Sequence, residues 1–163
     1  MSLHSKFRFW AFLPIALLLL VTGLLVFVTA KLLERTSMPP LGIFVFLVLF
    51  IFVWIWIVFG ELRTKVIKIE LQDEAVVVSN YVGLGAKRIH NISKFDGFET
   101  AILPSKYDKY EYLYLKKKKK KVVKLSQFYH SNYAELKNGL TDKVSYLGQK
   151  GFSYVQEIKE IFI

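Results

Sequence analysis

The sequence predicts a membrane α-helical hairpin joined to an α+β domain of six or seven antiparallel strands closed by one C-terminal helix. Three observations predict it. Residues 9 to 30 and 41 to 59 contain no Asp, Glu, Lys, Arg or His, giving apolar runs of 22 and 19 residues. From Glu61 onward the chain alternates apolar and polar residues, with turn signals about every eight to twelve positions. A stretch of helical period then follows the last strand. Composition agrees: 53% of the 163 residues are hydrophobic and mean hydropathy is +0.35, which excludes disorder as the dominant state.

At 1.5 Å per residue the two runs make helices about 33 and about 28 Å long, close to the hydrocarbon thickness of roughly 30 Å. The second, Leu41 to Phe59, holds sixteen Leu, Ile, Val or Phe. Each favours insertion by about 0.3 to 0.6 kcal/mol, so the sum is several kcal/mol. The first begins beside Trp10, suited to headgroup depth, and carries Pro14 in its first turn, where proline costs least. Its competing reading is a cleavable signal peptide, with Lys6 and Arg8 as the basic start and Val28-Thr29-Ala30 as the cleavage site. Against that, an h-region runs only about 7 to 15 residues. Residues 31 to 40, ending in Pro39-Pro40, suit an antiparallel hairpin and are too short for a domain. Ala16, Gly23 and Ala30, spaced by seven, lie nearly in line on one helix face and predict packing against the second span, with Phe46, Phe50 or Phe52 filling the groove.

Basic residues at the span ends give the orientation. Lys6 and Arg8 precede the first span, Lys31 and Arg35 occupy the link, and Arg63, Lys65 and Lys68 follow the second span. The bias of five to two places both termini in the cytoplasm, making this an integral protein of the inner or plasma membrane with residues 1–60 as hairpin and 61–163 as a cytoplasmic domain. The sequon Asn91-Ile92-Ser93 is then accidental.

In the tail, strands are expected near 64–71, 75–82, 86–93, 97–103, 110–116 and 120–126. They are separated by Gln72-Asp73-Glu74, Gly83-Leu84-Gly85, Phe95-Asp96-Gly97 and a longer link holding Pro104 and Ser105. Tyr133, Leu136, Leu140, Val144 and Leu147 share one face of a helix over 132–147. Asn132 with Glu135 would cap it and Gly148 would end it. Asn138-Gly139 sits awkwardly mid-helix, since glycine costs about 1 kcal/mol there relative to alanine. Residues 152–163 are apolar enough to pack, as a strand or a short helix.

This order of elements resembles the pleckstrin-homology-like domain of small bacterial two-span membrane proteins. The resemblance covers residues 64 to 148 and includes Tyr81-Val82-Gly83-Leu84-Gly85-Ala86-Lys87-Arg88-Ile89, which is similar to a β-hairpin of that family. It implies an orthogonal β-sandwich plugged by the helix, acting as a binding or assembly module without catalytic residues. Lipid-binding members of the wider superfamily have a basic first hairpin. Here that turn is Gln72-Asp73-Glu74, which argues against the usual headgroup pocket.

Residue chemistry narrows the function further. The chain has no cysteine, so disulfides, thiolate metal sites and thiol nucleophiles are excluded. Neither span holds an ionisable residue, as a transport pathway would require. His4, His90 and His130 form no metal-spaced pair, and a general base would need His90 to meet Asp96 or Asp108; two surface polar residues are the simpler reading. Gly83-Leu84-Gly85 lacks the Lys-Ser/Thr ending of a phosphate loop. No catalytic residue, metal ligand or cofactor is predicted.

Six consecutive lysines, Lys116, Lys117, Lys118, Lys119, Lys120 and Lys121, lie between two strands. The plain reading is a solvated hairpin tip that blocks edge-to-edge association. The sharper one is contact with anionic lipid or an acidic partner, since the tail carries 19 basic against 12 acidic residues and is tethered to the membrane already. Nucleic acid is disfavoured, because Tyr110, Tyr112 and Tyr114 on one strand face are as readily explained by packing. The expected partners are the lipid bilayer and a protein, with self-association open. The alternatives to a non-catalytic interaction or assembly module are an accessory subunit of a transporter or secretion complex and a membrane-bound enzyme.

Overall fold

The computed structural model describes residues 2–34, 36–104 and 108–161. Arg35 and Ser105, which the sequence reading places in links, lie outside these residues.

A 3-10 turn at Phe9–Phe12 leads into α1 (Leu13–Leu33). The second apolar helix, α2 (Leu41–Ile55), runs on through a π-helical stretch at Trp56–Leu62. Together they form helices of 25 and 22 residues, long and apolar enough to cross a membrane. Leu19, Phe27, Phe46 and Phe52 face outward, where a soluble core helix would hide them.

The helices meet through Ile15, Leu18, Val21 and Leu25 on one side and Phe50 and Trp54 on the other. Trp54 Nε1 donates to Thr22 Oγ1 at 3.1 Å. Ala16, Gly23 and Ala30 are on the exposed side, and a Cβ added at Gly23 would meet nothing within 4 Å. The expected small-residue seam is thus corrected. Those three residues do share a face, but the neighbouring face carries the branched and aromatic side chains that gain most from dispersion contact.

Eight strands are present among the described residues: β1 (Leu3–His4), β2 (Lys68–Leu71), β3 (Ala75–Ser79), β4 (Lys87–Asn91), β5 (Gly97–Leu103), β6 (Tyr110–Lys117), β7 (Lys120–Ser126) and β8 (Tyr146–Lys150). They form two sheets in the orders β1-β2-β3-β4 and β7-β6-β5-β8. All pairs are antiparallel except β5 with β8. One core lies between the sheets, built from Ile69, Leu71, Val76 and Val78 of the first and Phe98, Leu113, Leu115 and Leu125 of the second. β2 starts four residues later than expected because the helix runs on: the Lys65 and Val66 amides still donate to the Glu61 carbonyl, at 2.9 and 3.1 Å. β3 ends early because Tyr81 and Val82 take left-handed backbone, with φ of 54° and 59°.

The helix α3 (Tyr133–Thr141) closes the core with Tyr133, Leu136 and Leu140. It is shorter than the predicted 132–147. Val144 still reaches the core from beyond the helix end, but Leu147 lies in β8 and is 45% exposed. Gly148, expected to end the helix, sits in that strand at φ 101°. The Asn132 side chain caps nothing. The mid-helix glycine has a packing reason, because a Cβ on Gly139 would stand 2.9 Å from Leu71 Cδ2.

Residues preceding the first apolar helix join the sheet, so the division at residue 60 is crossed by the N-terminal segment. Leu3 and His4 pair with Leu71 and Glu70, and the Ser5 amide donates to the Ile69 carbonyl at 2.7 Å. Asn132 spends its side chain here, accepting from the Lys6 amide at 2.8 Å and donating to the His4 carbonyl at 2.9 Å. The start of α1 and the end of the second helix are thereby tied to one domain. Both must lie on the same side of any membrane the helices cross.

Candidate functional site

The apolar helices and the β domain share a second core of Ala11, Val21, Ile57, Leu62, Val66 and Tyr129. Polar groups border it where the second helix ends. Glu61 accepts from Lys65 Nζ at 2.6 Å and from the Tyr129 hydroxyl at 2.8 Å; burial, then the Glu61 charge, push the Tyr129 pKa far up. Lys65 also lies 3.8 Å from Glu157, which accepts from Lys124 Nζ and from the Tyr114 hydroxyl at 3.1 Å. Glu157 belongs to α4 (Tyr154–Ile161), the conformation taken by the C-terminal stretch. The network therefore fastens α4, β6 and β7 to the end of the second apolar helix.

Phe152, just before α4, covers Tyr112 with ring centroids 6.0 Å apart. Tyr112 and Tyr114 do share a strand face, but it is buried beneath this C-terminal segment and offers no open stacking surface.

The lysine run forms the β6–β7 hairpin, with Lys118 and Lys119 as its two-residue turn. Their φ angles of 51° and 63° match a type I′ turn, where Asn-Gly is preferred and a long side chain carries strain. The Lys119 amide donates to Asp96 Oδ2 at 2.7 Å, holding the turn. The run is not uniformly solvated. Lys116 is half-buried and pairs with Glu99 at 2.8 Å, and Lys150 reaches the same carboxylate at 2.9 Å. Burial pushes the Glu99 pKa up, but the bonds to Lys116 and Lys150 outweigh it and hold the group below its ordinary value. Lys121 Nζ stands 3.8 Å from the centre of the Tyr114 ring.

β4 and β7 are both edge strands, and between them the sheets leave a groove of about 630 Å³. Its basic lining is Arg63, Arg88, Lys120, Lys121, Lys124 and Lys159, with no acidic side chain among the described lining residues. Its apolar lining is Ile67, Val78, Val122 and Val123. Arg63 and Thr64 follow the helix ending at Leu62, so the groove opens beside the end of the second apolar helix. Arg88 stands opposite Val78 in the sheet, and the two share a face. Sequence reading used Arg63 for orientation only and overlooked Arg88 and Lys159, which have no local pattern in common. Only Lys120 and Lys121 of the predicted site reach the groove.

The catalytic candidates do not assemble. His90 packs against Phe95 with ring centroids 5.9 Å apart, Asp96 holds the lysine turn, and Asp108 accepts from the Tyr110 hydroxyl at 3.2 Å. His130 is fully buried, with Nδ1 2.8 Å from the Ser126 carbonyl and Nε2 2.8 Å from the Ile67 carbonyl. Among the described residues no group of three His, Cys, Asp or Glu could hold a metal ion.

Burial lowers the His130 pKa, opposed in part by the two carbonyls, which favour the protonated ring. His90 is lowered too, by burial and then by Arg88 and Lys117. A basic group with a lowered folded pKa stabilises above its unfolded pKa, and the contribution is lost as pH falls. Thermal stability in detergent should therefore hold above about pH 6.5 and decline below it, with a shallower decline in His130→Gln. Equal slopes for both proteins would mean His130 does not carry the effect.

No family model, curated protein or solved structure matches this chain.

Proposed function

We propose that the chain is a non-catalytic integral membrane protein whose pleckstrin-homology-like domain is an interaction or assembly module held against the anionic cytoplasmic leaflet. The carrying observation is the basic groove beside the end of the second apolar helix, with Lys120 and Lys121 on its rim and Arg63 at its membrane end. Two sheets enclosing one core closed by α3 support the resemblance to that family, with a short β1 and a parallel β8 as additions. The same-side tie of both span ends agrees with the basic-residue bias that places the termini inside. Against the enzyme alternative, His90, His130, Asp96 and Asp108 each hold unrelated structural partners.

Because β1 and Asn132 knit the N-terminal segment into the domain, the test uses the full chain. Amine labelling of the lysine turn should be slower in nanodiscs containing phosphatidylglycerol than in pure phosphatidylcholine. The difference should vanish as salt rises from 0.1 to 1 M and the screening length falls from about 10 to about 3 Å. Equal labelling in both lipids, or a C-terminal reporter active only outside the cell, would overturn the reading.

A further inference from the structure

We infer that the groove between β4 and β7 is a binding site for one phosphate-bearing anionic lipid, taken laterally from the leaflet beside the second span. The inference rests on the proposed leaflet contact and adds a built site to it. Surface attraction needs only a diffuse positive charge. Here basic groups from four separate places converge on one concavity: Arg63 after the helix, Arg88 on β4, Lys120 and Lys121 on β7, and Lys159 on α4. Gathering like charges around a low-dielectric hollow is unfavourable until an anion enters, which makes the groove a focus for negative ligands.

The apolar lining decides between a free anion and an amphiphile. Val122 lines the same groove at 38% exposure, backed by the buried Ile67, Val78 and Val123, and an inorganic phosphate would leave Val122 wet. A glycerophospholipid can set its phosphate against the guanidinium groups while its glycerol and upper chain carbons cover Val122. Arginine offers the forked donors that match phosphate oxygens. Arg88 is already oriented by its bond to Asn80 Oδ1 at 2.7 Å. Lys124 is paired with Glu157 and contributes field more than a contact.

Size and position agree. About 630 Å³ falls within the roughly 300 to 1,000 Å³ of ordinary ligand sites. Arg63, following the 22-residue helix Leu41–Leu62, stands where a headgroup phosphate would lie if that helix crosses the bilayer. The site is separate from the first hairpin turn Gln72-Asp73-Glu74. That turn is held from α3's end, with Lys143 Nζ donating to the Gln72 and Asp73 carbonyls at 3.0 and 3.1 Å.

The test is native mass spectrometry of the full chain released from nanodiscs of phosphatidylcholine with a minor share of phosphatidylglycerol. The wild type should retain one phosphatidylglycerol per chain in preference to phosphatidylcholine. Arg63→Gln/Arg88→Gln/Lys159→Gln should lower that retention about tenfold or more, whereas Lys87→Gln/Lys94→Gln/Lys109→Gln, at exposed positions outside the groove lining, should leave it unchanged. Val122→Glu, a single carboxylate at a half-exposed groove position, should lose the lipid while keeping the wild-type melting temperature, which separates binding from folding. Added inorganic phosphate should fail to displace the lipid; displacement at millimolar phosphate would mean that the site takes the free anion. Equal retention of both lipids, or full retention by Val122→Glu, would overturn the proposal. If turn labelling shows no lipid dependence while groove variants still lose phosphatidylglycerol, the leaflet-contact reading fails and the groove stands.

Discussion

Replacing Glu157 with alanine is expected to lower the unfolding free energy by about 1.5 to 3 kcal/mol, the cost of removing a charged hydrogen-bond acceptor from a mostly buried network. Lys124 is only 7% exposed, and Glu157 is one of its partners, beside the rings of Tyr112 and Tyr114. The same carboxylate accepts from Tyr114 and lies near Lys65, so its loss loosens α4 from both the sheet and the second helix. Thermal unfolding of the full chain in detergent measures the change. Lys124→Met with Glu157→Leu should recover much of the loss, since an apolar pair of similar volume needs no desolvated charge. A Glu157→Ala protein as stable as wild type would show that the carboxylate fastens nothing.

Leu140→Ala should cost about 2 to 5 kcal/mol, because its side chain is 1% exposed in the main core and truncation there leaves a cavity. Leu147→Ala should cost about 0.5 kcal/mol. Helical periodicity puts both residues on one buried face, whereas the structure puts Leu147 on a strand, so the pair separates the two descriptions. Comparable losses would restore the long helix.

Which parts of this fold were legible follows from how local each signal is. Both apolar helices follow from uninterrupted runs, and β5 and β7 match their expected limits because short apolar stretches are bounded by turn or charged residues. α3 was over-extended because Val144 and Leu147 happen to continue its period. What ends it is a pairing elsewhere: the Phe98 amide donates to the Ser145 carbonyl at 2.9 Å, and β8 lies parallel to β5. Asn132 carries the signature of a cap, but its side chain is taken by residues far earlier in the chain. β1 is two residues long, too short for any pattern. The groove was invisible for the same reason, since Arg63, Arg88 and Lys159 each look like isolated surface charges until two sheet edges and a terminal helix bring them together.

The strand preceding α1 sets an order of events during synthesis. Leu3 to Phe7 are made before either apolar helix, yet the partners that hold them include Asn132, 126 to 128 positions later, and His130. The segment must therefore wait, unpaired, until both apolar helices and β2 are made, and its contacts with Asn132 and His130 form only after nearly the whole β domain is made. Closing so long a loop is slow compared with hairpin formation. The last step in fixing this segment is then its closure against Asn132 and His130. Until β1 pairs with β2, the Leu71 edge stays open to any extended chain that reaches it first.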